Sequence, residues 1–213
     1  MNKKHIVLFD MDGTLTPPRE EFDKKLFGPL RELSLHAEIG IVTGSDIDYL
    51  ESQMKTLIKY SELRYQTHLL PCNGTKHYMP PETSQDEHVL THEMDMRKHL
   101  GDSCFRQIMM VLLSSQENMC YNHIPLTGHF ISYRNSMINW CPIGRNANPD
   151  QRDKFVKLDI SSNPTLRERE LDKIKYKMNL RCSKEVVVKL GGETSFDIYP
   201  QGWDKTYALR HFP

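Results

Sequence analysis

The feature that most constrains this chain is an apolar run that ends on two aspartates. Residues 5–9 read HIVLF, and Asp10-Met11-Asp12-Gly13-Thr14-Leu15 follows without a break. A short continuous apolar run bounded by a turn is the pattern of a strand buried on both faces of a parallel sheet. In such sheets ligands bind outside the carboxyl ends of the strands, which is where Asp10 stands. A carboxylate there can attack phosphorus and form an aspartyl-phosphate, dividing one hard transfer into two easier ones. Asp12 can protonate the leaving oxygen and then deprotonate the next acceptor. Gly13 permits the tight turn that keeps both carboxylates near one phosphoryl group.

Strand and helix signals then alternate. Phe22, Leu26, Leu30 and Leu33 fall at helical spacing, with Gly28-Pro29 predicting a kink. Residues 38–42 predict a second strand, 46–59 a helix burying Ile47, Leu50, Met54, Leu57 and Ile58, and 65–70 a third strand. This order predicts a doubly wound α/β unit. Past Met79-Pro80-Pro81 the pattern changes. A helix is predicted around 103–115, short strands at 129–134 and 137–141, and helices near 149–157 and 165–179. Two more strands, 186–188 and 195–199, are joined through Gly191-Gly192. Short strands meeting at such turns predict an antiparallel sheet with helices on one face. The expected layout is a core over 1–81, an inserted α+β domain over 82–198, and a return to the core over 199–213. His88 and His92 sit one helical turn apart, which predicts a solvated helix face; a metal site there would lack a third ligand.

Composition excludes several classes. With 28 basic and 28 acidic residues the formal charge is zero, without the basic excess of a nucleic-acid binder. No run of about 18 apolar residues exists to cross a membrane, and the stretch after Lys3-Lys4 is too short for a signal-peptide core. The five cysteines form no CxxC pair and read as reduced thiols of a cytoplasmic protein.

DMDGTLT resembles the first motif of the haloacid dehalogenase superfamily. Val42-Thr43-Gly44-Ser45-Asp46 is similar to its second, whose hydroxyl binds the transferring phosphoryl group. Ser45 is the residue so implied, with Thr43 next; Ser45 or Asp46 would equally suit a helix N-cap. Lys205, in Gly202-Trp203-Asp204-Lys205, matches the lysine that offsets charge between nucleophile and phosphoryl group. Three further stretches narrow the likeness. Arg134-Asn135-Ser136-Met137 leads into Cys141-Pro142-Ile143-Gly144-Arg145 and then Arg152. Gly191-Gly192-Glu193-Thr194-Ser195-Phe196-Asp197 runs through Pro200 toward Lys205, and Pro18-Arg19 lies near the start. Together these resemble the eukaryotic phosphomannomutase family.

The resemblance implies a haloacid dehalogenase-type α/β core with an inserted α+β cap. It implies interconversion of mannose 6-phosphate and mannose 1-phosphate, feeding GDP-mannose synthesis, with Asp10 as nucleophile and Asp12 as acid and base. Mg²⁺ would be bound through the Asp10 side chain and the Asp12 backbone carbonyl, and a hexose 1,6-bisphosphate would be the activator. Arg19, Arg134, Arg145, Arg152, Ser195 and Asp197 are the implied set for the hexose phosphate, and cap closure would exclude water. The implied assembly is a homodimer joined through the cap. Guanidinium forks suit a phosphate that must be held while the other reacts. Ser195 and Asp197 share one strand face, from which both can reach sugar hydroxyls.

Two departures stand out. The family's Pro-Glu-Asn-Gly is here Pro71-Cys72-Asn73-Gly74, without the carboxylate. The family also continues beyond the lysine motif to an acidic Gly-Asp motif that completes the Mg²⁺ site, whereas this sequence runs to Pro213. Residues 1–213 alone are therefore expected to bind Mg²⁺ weakly, to turn over poorly and to leave HIVLF at an unpaired, partly uncovered sheet edge. A sugar-phosphate phosphatase on the same fold and a catalytically impaired shortened product stand as alternatives.

Overall fold

The computed structural model describes residues 5–17, 20–182 and 185–212. The chain divides into two compact units, one of residues 1–94 and 202–213 and the other of 95–201.

In the first unit the apolar runs form β1 (Ile6–Asp10), β2 (Glu38–Val42) and β3 (Thr67–Leu70), paired in parallel in that order. The register sets Asp10 beside Val42 and Val42 beside Leu70, so the carboxyl ends of all three strands are level. β4 (Lys76–Met79) and β5 (Val89–Glu93) extend the sheet in antiparallel fashion. Among the described residues β1 pairs only with β2, the unpaired edge expected of this chain, so the two-sided burial suggested by its apolar run is not realised and all five of its residues remain partly accessible.

Helix α1 (Phe27–Ser34) begins directly after a 3-10 turn at Lys24–Leu26, which Asp23 caps by accepting from Lys25 N at 2.9 Å. The predicted kink thus falls before Gly28-Pro29, and Pro29 lies in the first turn of α1, where a missing N–H costs no intrahelical bond. Helix α2 (Ile47–Tyr60) buries Leu50, Met54, Leu57 and Ile58. These pack with Ile39, Ile41, Leu69, Met11 and Leu30 in one core cluster, with Phe9 against it. The alternate residues Val42, Leu70 and Leu8 face the other way, onto Ala208 and Phe212. That second face is covered by the returning segment, whose 3-10 turn spans Lys205–His211. The approach is close: a Cβ on Gly74 would lie 2.7 Å from the Ala208 Cα, and Gly74 has φ +81°, so only glycine fits.

His88 and His92 are not on a helix. His92 lies in β5 opposite His77, and His88 precedes the strand with Nε2 3.0 Å from the Thr67 carbonyl. A spacing of four residues puts side chains on one face of a strand as well as of a helix, and Val89 and Thr91 between them favour the strand. The same strand moves the unit boundary. Expected between 81 and 82, it falls after Met94 because β5 completes the first sheet, and the return begins at Gly202 where 199 was expected.

The second unit opens with α3 (Met96–Leu100) and α4 (Asp102–Cys120). Strands β6 (Ile131–Tyr133) and β7 (Ile138–Trp140), helices α5 (Pro149–Asp159) and α6 (Leu166–Arg181), and strands β8 (Val186–Gly191) and β9 (Ser195–Pro200) follow. Its sheet is antiparallel in the order β6-β7-β9-β8. One face carries Ile138, Trp140, Phe196 and Ile198, all fully buried, with the Trp140 and Phe196 rings stacked at 4.7 Å. Helix α4 lies on that face, where Gln116 Oε1 accepts from the Trp140 indole N–H at 2.8 Å. The opposite face bears Asn139, Ser195 and Asp197. Among the described residues no helix is long and apolar enough to cross a membrane.

Candidate active site

In the first unit, Asp10 ends β1 and its side chain is held from two sides. Oδ1 accepts from Met11 N at 2.8 Å, and Lys205 Nζ lies 2.7 Å from Oδ2. Both side chains remain roughly half exposed, at 42% and 48%, so the carboxylate is paired yet reachable. The following turn is closed on itself: Met11 O accepts from Leu15 N and Thr16 N, and Gly13 N donates to Thr16 O at 2.7 Å. This fixes Asp12, whose Oδ1 accepts from the Tyr49 hydroxyl at 3.2 Å.

Three more loops are tied in by hydrogen bonds. Thr43 is buried, and its Oγ1 accepts from Ser45 N at 3.1 Å. Ser45 is half-buried and caps nothing, since Asp46 takes the N-cap of α2 by accepting from Tyr49 N. Among the described residues the Ser45 hydroxyl is thus not used as a cap, and Thr43 Oγ1 is occupied in shaping the loop. Cys72 N donates to Ser45 O at 2.8 Å and Asn73 N to Thr43 O at 2.7 Å. Asn73 Nδ2 reaches Trp203 O at 3.3 Å, anchoring the loop that carries Lys205. The structure thus brings together Asp10, Asp12, Ser45 and Lys205 at one end of one sheet. Cys72 is buried.

For a divalent cation the described residues offer hard oxygens: the Asp10 carboxylate and the main-chain carbonyl of Asp12. Among the described residues no group of three His, Cys, Asp or Glu side chains converges on a metal position. That donor set fits Mg²⁺, which keeps several waters and takes one or two carboxylates beside phosphate oxygens.

The second unit holds a separate polar cluster. The β6–β7 turn presents Arg134, whose N–H donates to Met137 O at 2.9 Å. The loop after β7 presents Arg145, and α5 presents Arg152. Burial pushes the Arg145 guanidinium below its ordinary value, and Arg134 and Arg152 add to this, while Cys141 and Asp197 pull the other way. Arg145 Nε is buried without a hydrogen-bond partner among the described residues. Arg152 is differently employed, with its fork donating to Ala147 O, Thr194 Oγ1 and Arg145 O at 3.0–3.2 Å. Asn139, facing Asp197 across the β7–β9 ladder, donates to Asp197 Oδ1 at 2.7 Å and Ser195 Oγ at 3.2 Å. The Asp197 carboxylate lies over Gly191, where an added Cβ would stand 2.6 Å from Oδ2. Arg19 lies outside the described residues.

Sequence reasoning missed Tyr49, Asn139 and Thr194. Asn139 carried one readable signal, a polar residue between Ile138 and Trp140 in a strand. Tyr49 carried none, because only the three-dimensional course of α2 places its hydroxyl on Asp12.

Solved structures show the fold. The chain resembles the IMP-nucleotidase of Plasmodium falciparum with a TM-score of 0.63 at 14% identity, covering 98% of this chain but only 54% of that one. The C-terminal domain of the trehalose-6-phosphate phosphatase of C. albicans gives 0.59 at 19%, covering 98% of this chain and 61% of that one. Sequences are more specific. The chain is 33% identical to phosphomannomutase 1 of Dictyostelium discoideum over 98% of its own length and 76% of that protein's. It is 34% identical to the phosphomannomutase of Dendrobium officinale over 97% of its length and 75% of the other's. The family model described as eukaryotic phosphomannomutase matches residues 26–213. With the paired carboxylates, the lysine contact and this likeness along almost its whole length, the chain belongs to the eukaryotic phosphomannomutase family.

Proposed function

We propose that this protein interconverts mannose 6-phosphate and mannose 1-phosphate through a phosphoryl group carried on Asp10. The observation that carries the reading is the 2.7 Å contact between Lys205 Nζ and Asp10 Oδ2 at the carboxyl end of β1. A fixed ammonium there holds the nucleophile and offsets charge as phosphate arrives, the electrostatic pre-organisation on which phosphoryl transfer depends. Asp12 protonates the departing sugar oxygen in one half-reaction and takes a proton from the incoming hydroxyl in the other. Ser45 holds the transferring phosphoryl group.

In the second unit Arg145 and Arg134 are the anion-binding side chains; Arg19 is a further candidate for the hexose phosphate on the resemblance alone. Three features support this reading: partly buried guanidinium groups crowded together, the buried Nε of Arg145, and Asp197 and Ser195 aligned by Asn139. Mg²⁺, bound through the Asp10 carboxylate and the Asp12 carbonyl, would neutralise charge on the phosphoryl oxygens. A hexose 1,6-bisphosphate is the natural source of the phosphoryl group on Asp10, and mannose 1-phosphate is then the precursor for GDP-mannose. A cytoplasmic location agrees with the five free cysteines. Exposed Met110 and Leu113 on α4 supply apolar surface for pairing two copies through the second unit.

The test is incubation with mannose 1-phosphate, Mg²⁺ and a catalytic amount of hexose 1,6-bisphosphate. Accumulation of mannose 6-phosphate supports the reading. Release of inorganic phosphate in its place would make the protein a phosphatase.

A further inference from the structure

We propose that Tyr49 is a positioning residue for Asp12, setting one carboxylate oxygen so that the other exchanges the proton. The inference rests on the role given above to Asp12 and adds a residue to that site.

Both partners are rigidly mounted. Tyr49 lies in the first turn of α2, where its N–H is fixed by the Asp46 cap at 3.1 Å and its ring packs against the main core cluster. Asp12 sits in the turn closed by Met11 O and Thr16 O, and bridges to Thr16. The phenol donates to Oδ1 at 3.2 Å across 37 residues of sequence. A contact between two anchored groups restricts the carboxylate to one rotamer, so Oδ2 is presented to the reacting oxygen in a fixed direction. Orientation of this kind matters because proton transfer requires the acid within hydrogen-bond reach of the leaving atom.

The chemistry supplies a discriminating test. When Asp10 attacks a hexose bisphosphate, an oxygen–phosphorus bond forms to the carboxylate, the bond from phosphorus to the sugar oxygen breaks, and that oxygen takes the proton of Asp12. When Asp10 attacks acetyl phosphate, the leaving acetate needs no proton. Rapid-quench mass spectrometry of the whole protein with each donor therefore separates positioning of Asp12 from general damage.

Tyr49→Phe, which keeps the ring in the core, should slow phosphorylation of Asp10 by the hexose bisphosphate about tenfold, a fraction of the 10²–10⁴ typical of a general acid. It should leave the acetyl phosphate rate and the half-saturating donor concentration unchanged. On an Asp12→Asn background the same change should cost nothing further. Equal slowing with both donors would make Tyr49 merely structural, and no slowing with either would remove it from the mechanism. A parent protein that shows no phosphoryl-Asp10 with either donor would instead overturn the aspartyl-phosphate reading itself.

Discussion

His68 Nδ1 lies 2.9 Å from His77 Nε2, so within one buried pair one imidazole donates and the other accepts. His68 Nε2 also meets Glu38 Oε2 at 3.1 Å, and the His77 ring lies tilted against that of His211 with centroids 4.5 Å apart. His211 in turn meets His92 edge to face at 4.9 Å, and His92 Nε2 meets the Tyr207 hydroxyl at 3.0 Å. Burial, with His211, His68 and His92 close by, lowers the pKa of His77 from 6.5 to about 4. Burial lowers that of His68 as well, against the opposing pull of Glu38.

A histidine held neutral in the fold contributes stability that is present above its unfolded value and lost as pH falls toward its folded one. For His77 that window runs from 6.5 down to about 4. Each pH step of one across this window is worth roughly 1.4 kcal/mol, so the loss attributable to His77 is about 3 kcal/mol. Urea unfolding at pH 7 and pH 4.5 should show the fall, and His77→Gln should remove most of the difference. An unfolding free energy that is level between these values would show that the cluster opens to water.

Lys205→Ala separates chemistry from stability. Both ends of its contact with Asp10 are near half exposed, so the pair should contribute about 1 kcal/mol or less to folding. Mutase turnover should nevertheless fall by about 10²-fold or more, the size typical for losing one fixed electrostatic group beside a reacting centre. Parallel thermal melts and initial rates check both halves.

Arg145 and Arg152 should behave differently, although the sequence placed them in one set. Arg145→Ala should raise the Michaelis constant for mannose 1-phosphate about ten- to a hundredfold, as expected for a charge-assisted hydrogen bond of about 1.5–3 kcal/mol. Arg145→Lys should recover only part of this, because a point charge cannot replace the planar fork. Arg152→Ala should also destabilise the protein, because its fork ties Ala147, Thr194 and Arg145 together. Titration with substrate and denaturant melts of the two variants distinguish the outcomes.

Gly191→Ala tests the seat of Asp197. The new methyl must displace a carboxylate that would stand 2.6 Å away, breaking its bond from Asn139. Overpacking of this kind costs about 1–3 kcal/mol. Affinity for the sugar phosphate should drop further than in Ser195→Ala, measured by calorimetric titration.

Much of this was legible in the chain because the informative patterns are local. HIVLF, EIGIV and the helix burying Leu50 to Ile58 each declare themselves within a few residues, and the DxDGT turn follows a strand by sequence alone. What was not legible depends on pairing between distant segments. The strand at Val89–Glu93 hid behind a spacing shared by two periodicities, and its place in the first sheet shifted the boundary. Asn139 gains its role only once β7 and β9 are in register. The accessibility of β1 follows from its position at the sheet margin, which HIVLF does not encode by itself and which was legible only through the family resemblance.

The returning segment has a consequence for how the protein is made. His211 donates to the Gly74 carbonyl across 137 positions, and Ala208 seals a face of strands built from the first seventy residues. As the ribosome extends the chain from its amino end, Asp10 and its sheet emerge early but remain without cover or counter-charge. Residues 95–201 are a compact body that can collapse on its own contacts before the segment carrying Lys205 appears. Closure of so long a loop is slow, so the half-covered sheet is the species most exposed to aggregation and to chaperone capture. Asp10 is therefore kept from Lys205 until the whole intervening body has been synthesised.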